Sequence, residues 1–284
     1  MSILYRIYKA SLDAYSRKLP SGSRYCRWYE AFIRWMVVVL TAVRGFSFPA
    51  RAIGGWWSIW RWRFEALMGW YEPECATVCR QLIRRGDTVL DIGGHIGLYT
   101  RLFSRLVGPR GRVLVFEANP ENVAVLRRNL RGRRYRNVEV VWAAVSAADG
   151  EAPLYVSPGH TNHSLLAGFT AATEVIQAPT ISMDSFLGRR AIGAVDFVKS
   201  DTEGAEPLVI RGMDKTLRSS PDIKLLMEYN PMALRCGDTT PEQFTAMLES
   251  QGFEVKAVQP DGTLSGIPVL KENDYTNILC RKRG

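Results

Sequence analysis

Along the 284 residues the spacing of apolar positions changes repeatedly, and each change predicts an element. Thr88–Ile92 is a short β-branched run that reads as a buried strand. Gly93, Gly94 and Gly97 follow, and then Tyr99, Phe103 and Leu106 at i, i+4 and i+7 predict a helix. Arg112–Glu117 is the second strand, closed by Asn119 as a helix cap and Pro120 at the first helical position. Val123, Leu126 and Leu130 give that helix its buried stripe. A third strand is predicted over 138–145, with a turn at Asp149-Gly150 and a returning hairpin arm over 152–156. Residues 157–179 carry few periodic signals and read as a long loop, a feature often tied to function. Strands follow over 195–200 and 223–229, separated by a helix over 204–217. Thr240-Pro241-Glu242-Gln243 has capping-box form before Phe244, Met247 and Leu248, and Gly252 stops that helix. Phe253–Val258 and 277–281 are the last strands. Such alternation predicts an α/β fold: a seven-stranded, mostly parallel sheet with helices on both faces.

Upstream of residue 70 the pattern is different. Leu4, Tyr8, Leu12 and Tyr15 recur at helical spacing, with Arg6, Lys9 and Arg17 away from them. Residues 1–70 hold eleven Lys and Arg against Asp13, Glu30 and Glu65, so they carry +8 of the total +9. They also hold seven of the eight tryptophans, which sets an N-terminal helical segment (1–70) apart from a nearly neutral domain (71–284). The longest uncharged apolar runs, 35–43 and 52–60, are nine residues each. A spanning helix needs about 20. There is no apolar core or cleavage site of a signal peptide at the start. Two readings stand: a helical cap packed on the domain, or attachment to an anionic membrane surface through a basic, Trp-rich amphipathic face. Cys26, Cys75, Cys79, Cys236 and Cys280 form an odd, scattered set that reads as reduced thiols. The expected location is the cytoplasm, with peripheral attachment at the inner membrane surface as the alternative.

The loop after the first strand carries the first chemistry. Glycines let backbone approach a ligand, and the first turn of a helix turns its free N–H groups toward it. Asp91 places an acid within this corner, where a dinucleotide pyrophosphate would be repelled and the cationic methionine end of S-adenosylmethionine would not. The spacing is also not that of the dinucleotide fingerprint. The corner therefore reads as an S-adenosylmethionine site. Glu117, at the tip of the second strand, is placed to bind both ribose hydroxyls, and Ala143 and Ala144 are small enough for adenine to lie against.

Several stretches together resemble one family. They are Tyr71-Glu72-Pro73-Glu74, the run from Val89 to Thr100, Phe116-Glu117-Ala118-Asn119-Pro120, the run from Val195 to Glu206, and Glu228-Tyr229-Asn230-Pro231. In this order they resemble the FkbM family of S-adenosylmethionine-dependent methyltransferases. The family more usually reads D-I-G-A-N-I-G in the first loop, so Gly94 and His95 depart from it. The resemblance implies a Rossmann-like class I methyltransferase. Its cofactor residues would be Asp91, Gly93, Gly94, His95, Gly97, Glu117, Ala118, Ala143, Ala144 and Asp201. Residues 1–70 and the detail of 157–179 have no part in it, and acceptor choice is expected there.

A sulfonium is already an activated methyl donor, so alignment does much of the catalytic work. A hydroxyl acceptor still has to lose a proton. Asp201 is the first candidate for taking it, His163 the second, and Glu203 stands beside Asp201. The alternative is a divalent cation such as Mg2+ held by Asp201, Glu228 and Asn230, lowering the hydroxyl pKa. Tyr71, Glu74, His160, Asn162, His163, Glu228 and Asn230 are the candidates for touching the acceptor. The expected reaction is O-methylation of a sugar, glycolipid or natural product. Nucleic-acid methylation is the rival suggested by charge; against it, Ser200-Asp201-Thr202-Glu203 puts acids where a base would stack, so no nucleic-acid partner is expected. A non-catalytic scaffold would call for a degenerate cofactor loop, and this one is intact.

Overall fold

The computed structural model describes residues 3–18, 24–48, 56–158, 161–271 and 274–283. It divides into two compact units, 1–73 and 74–284.

The first unit is helical: α1 (Ile3–Lys18), α2 (Arg24–Arg44) and α3 (Trp56–Met68). Its interior is aromatic. Tyr8 packs against Phe64 and Trp70 and donates its hydroxyl to Glu65 Oε1 at 3.1 Å. Burial and the neighbouring Glu65 push the Tyr8 phenol well above its usual range. Leu12, Ile33, Val37, Phe46 and Leu67 are buried with it. Leu4 departs from the predicted stripe and is exposed, so the buried face of α1 begins a turn later. No described helix is long and apolar enough to cross a membrane.

The second unit opens with α4 (Pro73–Leu82) and continues β1 (Thr88–Ile92), α5 (Leu98–Val107), β2 (Arg112–Glu117), α6 (Pro120–Asn129), β3 (Val138–Trp142), β4 (Ala144–Val145), β5 (Gly150–Val156) and β6 (Glu174–Ile181). Then come α7 (Met183–Arg189), β7 (Phe197–Ser200), α8 (Glu206–Arg211), α9 (Asp214–Ser219), β8 (Lys224–Tyr229), α10 (Pro231–Cys236), α11 (Pro241–Ser250), β9 (Phe253–Val258), β10 (Leu264–Ser265) and β11 (Thr276–Lys282). The main sheet has the order β10-β9-β11-β8-β7-β1-β2-β3. Strands β3, β2, β1, β7 and β8 are parallel, and β11 runs antiparallel between β8 and β9. This is the seven-stranded class I methyltransferase sheet with the two-residue β10 added at one edge. Its core is built from strand residues such as Leu90, Leu114, Val198 and Leu225, with Phe186 and Phe244 from the covering helices and Met213 from the turn between α8 and α9.

The caps form as their residues require. Asn119 Oδ1 accepts from Glu121 N and Asn122 N, and Thr240 and Gln243 close a reciprocal capping box. Three predicted boundaries are corrected. The strand over 138–145 breaks at Ala143, because Ala144 and Val145 leave the main sheet and pair with Thr180 and Ile181. The loop over 157–179 is shorter than predicted, because β6 pairs antiparallel along all of β5 and forms a second sheet, β4-β6-β5. The helix over 204–217 is two short helices. At Gly212 the chain passes so close to Ser146 that a Cβ would lie 2.1 Å from its carbonyl oxygen, and the Gly212 carbonyl accepts from Asp184 N at the start of α7.

Candidate active site

Strands β1 and β7 end level, with Ile92 paired to Ser200, and β2 and β8 run one and two residues further, since Phe116 pairs with Ile92 and Met227 with Ser200. The loops leaving their carboxyl ends therefore converge on one edge of the sheet, where open α/β sheets bind ligands. Gly93 N and Gly94 N both donate to the Phe116 carbonyl, at 2.9 and 3.0 Å, which folds the loop over β2. A Cβ on Gly93 would lie 1.9 Å from the Asp201 carbonyl oxygen, and one on Gly94 2.1 Å from Val115 Cγ2. The glycines are thus required by the chain's own contacts as well as by any ligand. Gly93 also has φ +78°, so Gly93→Ala combines overpacking with a strained backbone. The expected loss is at least about 1–3 kcal/mol. A thermal melt reads it as a drop of several degrees, and an unchanged Tm would contradict the close approach.

His95 has φ +50°. Asn and His enter this left-handed region more readily than most residues, which accounts physically for His standing where the family usually has Asn. Asp91 lies beneath the loop: it is 1% exposed and its Oδ2 accepts from the Thr100 hydroxyl at 2.5 Å. Burial raises its pKa to about 6, with Lys199 and the Thr100 hydroxyl pulling the other way. Its place is that of a brace between β1 and the first turn of α5.

Glu117 closes β2. Its Oε2 accepts from His95 N and its Oε1 from Asn119 N, both at 2.8 Å. Burial pushes its pKa up to about 7 despite these donors. The Asn122 side chain and the Ala118 N–H also donate to this carboxylate, so ribose hydroxyls would share its oxygens with these donors. Ala118 is half-buried and Ala143 and Ala144 are buried nearby in the fold. Trp142, which sequence reasoning passed over, pairs in register with Glu117, donates its indole N–H to the Ala118 carbonyl at 2.9 Å and stays half exposed. Its signal was only an aromatic one residue before the alanines.

At the carboxyl ends of β7 and β8, carboxylate oxygens of Asp201 and Glu203, in the loop after β7, and of Glu228, in β8, lie within 4.8 Å of one another. Lys199, 4% exposed, donates to Asp201 Oδ2 at 2.9 Å and lies over the Tyr99 ring. Glu228 is held well above the usual carboxylate range by burial and by Asp201, Glu203 and Glu206 beside it. Its Oε2 is buried without a hydrogen-bond partner. Glu206 accepts from Thr202 N, the Thr202 hydroxyl and Gly204 N, which shapes the turn carrying Glu203 at φ +54°. Asn230 Oδ1 caps α10 by accepting from Ala233 N, so Glu203 stands in the cluster where the sequence suggested Asn230.

The remaining candidates lie elsewhere. His163 Nδ1 accepts from Ser157 N at 3.1 Å, and burial lowers its pKa to about 4. The neutral ring therefore carries its proton on Nε2. The next residue, Ser164, donates its hydroxyl to the Glu203 carbonyl, tying this loop to the acid-bearing turn. Asn162 is exposed with φ +61°. His160 lies outside the described residues. Tyr71 belongs to the first unit, edge-on to Trp62, and Glu74 opens the second, in the first turn of α4.

A glycine corner, an acid at the end of β2 and seven principal strands of which β11 alone runs antiparallel define a class I S-adenosylmethionine-dependent methyltransferase. A family model described as the methyltransferase FkbM domain matches residues 91–255, and the chain belongs to that family. The chain is 26% identical over 194 residues to Methyltransferase 1 of Beauveria bassiana, covering 61% of this chain and 74% of that protein. It is 43% identical over 67 residues to a protein-L-isoaspartate O-methyltransferase of Methanothrix thermoacetophila, covering 23% of this chain and only 32% of that protein. Among solved structures, an O-methyltransferase from Bacillus cereus in complex with SAH aligns over 96% of this chain and 97% of that one, with 13% identity and a TM-score of 0.47.

Proposed function

We propose that the chain methylates a hydroxyl oxygen of a sugar, glycolipid or natural product, with Asp201 taking the hydroxyl proton. The observation that carries this reading is the Asp201 carboxylate at the carboxyl edge of the sheet, paired with buried Lys199 and backed by Glu203 and Glu228. S-adenosylmethionine supplies an activated methyl group; Glu117 would hold its ribose hydroxyls, the glycine corner its methionine end, and Ala118, Ala143 and Ala144 would face the adenine. A neutral amine nitrogen already offers a lone pair and has less need of a fixed carboxylate base than a hydroxyl, which favours oxygen over amine nitrogen. Lys199 donates to Asp201 Oδ2 at 2.9 Å and fixes the carboxylate in place at the edge of the sheet. We set His163 aside as the base because Ser157 N already uses its acceptor nitrogen.

A second reading rests on the bare Glu228 Oε2. Asp201 and Glu203, on the loop after β7, and Glu228, on β8, are hard oxygen ligands that fit a cation such as Mg2+, which would lower the hydroxyl pKa. Lys199 already brings positive charge to Asp201, and for that reason we place the metal second.

The test is incubation of the purified chain with methyl-labelled S-adenosylmethionine and pools of hydroxylated sugars, glycolipids and small natural products. Label recovered as a methyl ether is the expected result. Label on nitrogen or carbon alone would overturn the oxygen assignment while leaving the family untouched.

A further inference from the structure

Of the twelve large apolar side chains exposed among the described residues, eight lie between Leu4 and Val43. Six of these are on α2: Trp28, Phe32, Trp35, Val38, Val39 and Val43. Trp28, Phe32, Trp35, Val39 and Val43 follow each other at steps of three and four, so they share one face. Ile33 and Val37, on the other side of the same helix, are each 2% exposed. The helix is therefore apolar on both sides, with Trp28 69% and Trp35 59% exposed. An apolar strip of this length on a water-facing helix marks an interaction surface.

We propose that this outer face of α2 lies in the interfacial layer of an anionic phospholipid bilayer. Charge complementarity selects that occupant. Arg27 and Arg34 on α2 are exposed, as are Arg6 and Lys9 on α1, and residues 1–70 carry +8 in all. Trp28 and Trp35 have no ring or hydrogen-bond partner among the described residues apart from the contact of Trp35 with Phe32. Indole rings favour the headgroup level, where the ring meets acyl chains and the N–H meets ester or phosphate oxygen. A nucleic acid offers phosphate without an apolar layer. A second copy would bring the same positive charge against this face. A bilayer with acidic lipid supplies both the apolar layer and the countercharge, and α2 is too short of apolar residues to cross it. The face would lie in the plane of the membrane. The proposal stands apart from the identity of the methyl acceptor.

The second unit calls for a control. Arg105, Arg110, Arg112, Arg127, Arg128, Arg131, Arg133, Arg134 and Arg136 are all exposed and enter no ion pair among the described residues. They would draw any polyanion in a salt-dependent way, so the deciding substitutions have to be apolar ones. The full chain is sedimented with vesicles of equimolar phosphatidylglycerol and phosphatidylcholine, and with phosphatidylcholine alone, at low and high salt. The comparison is the Trp28→Ser/Phe32→Ser/Trp35→Ser variant, whose exposed sites leave the fold and Tm in place. Wild type is expected to bind the anionic vesicles at least about tenfold more tightly than the variant, with part of that binding surviving high salt. Equal binding of the two would assign the attraction to the arginines and overturn the proposal, as would no binding by wild type. A wild-type dimer that becomes a monomer in the variant, without a vesicle difference, would identify the face as self-association and also overturn it.

Discussion

Asp201→Asn leaves the chain folded and lowers methyl transfer at least about 100-fold, the range a lost general base or metal ligand produces. The substitution keeps shape, and an amide oxygen can still accept from Lys199 Nζ, now 2.9 Å from the carboxylate. What disappears is the carboxylate proposed to receive the hydroxyl proton. The Asp201 side chain is about a third exposed, so its pairing with Lys199 adds little net stability beside its chemical role, and the melt should shift only slightly. A chelator distinguishes the two readings in the wild-type chain. Activity that is lost to EDTA and restored by magnesium would promote the metal reading; indifference to EDTA supports Asp201 as base. Wild-type turnover by Asp201→Asn would remove both.

Glu117→Ala is expected to weaken binding of S-adenosylhomocysteine by the two charge-assisted hydrogen bonds it offers, on the order of 2–4 kcal/mol or roughly 30- to 1000-fold. Calorimetry measures this directly, and an unchanged Kd would dismiss Glu117 as the ribose acid. Proton linkage gives a finer check. Burial raises the Glu117 pKa from 4.5 to about 7, so in the free protein the group favours folding below its unfolded pKa and that contribution fades as pH rises from about 4.5 through 7. Ribose hydroxyls favour the ionised form. Ligand affinity should therefore rise with pH up to about 7 and level off above it, and Glu117→Gln should flatten the profile. A pH-independent Kd in the wild type would contradict the coupling.

The parts of this fold that were readable from sequence are those whose cause is local. Thr88–Ile92 and Arg112–Glu117 announce themselves by consecutive β-branched and apolar residues, and the caps at Asn119 and Thr240 by side chains that bond two or three residues ahead. The second sheet was hidden because only Ala178 is fully buried along β6 and Pro179 interrupts it, so the strand has neither an apolar face nor an unbroken donor row. The break at Gly212 depends on Ser146, distant in the chain, and left no local mark. At the site, Asp201 and Glu228 could be placed at strand ends, but their proximity comes from β7 and β8 being neighbours. Lys199 looked like one more strand residue; only the fold shows it turned back to the acid two positions on. The proton on His163 was equally out of reach, since it is decided by a backbone N–H six residues upstream.

Strand β11 is the last in chain order, yet it sits inside the sheet with β8 on one side and β9 on the other. On the ribosome, β8 and β9 emerge first and neither can bond the other, because the place between them belongs to a segment not yet made. The nascent chain thus carries two unpaired edges while the residues from Thr276 onward are synthesised, an interval when strand edges invite pairing with other chains. Insertion of β11 between β8 and β9 removes both edges in one step, and a chain interrupted before Thr276 would keep them in an aggregation-prone form.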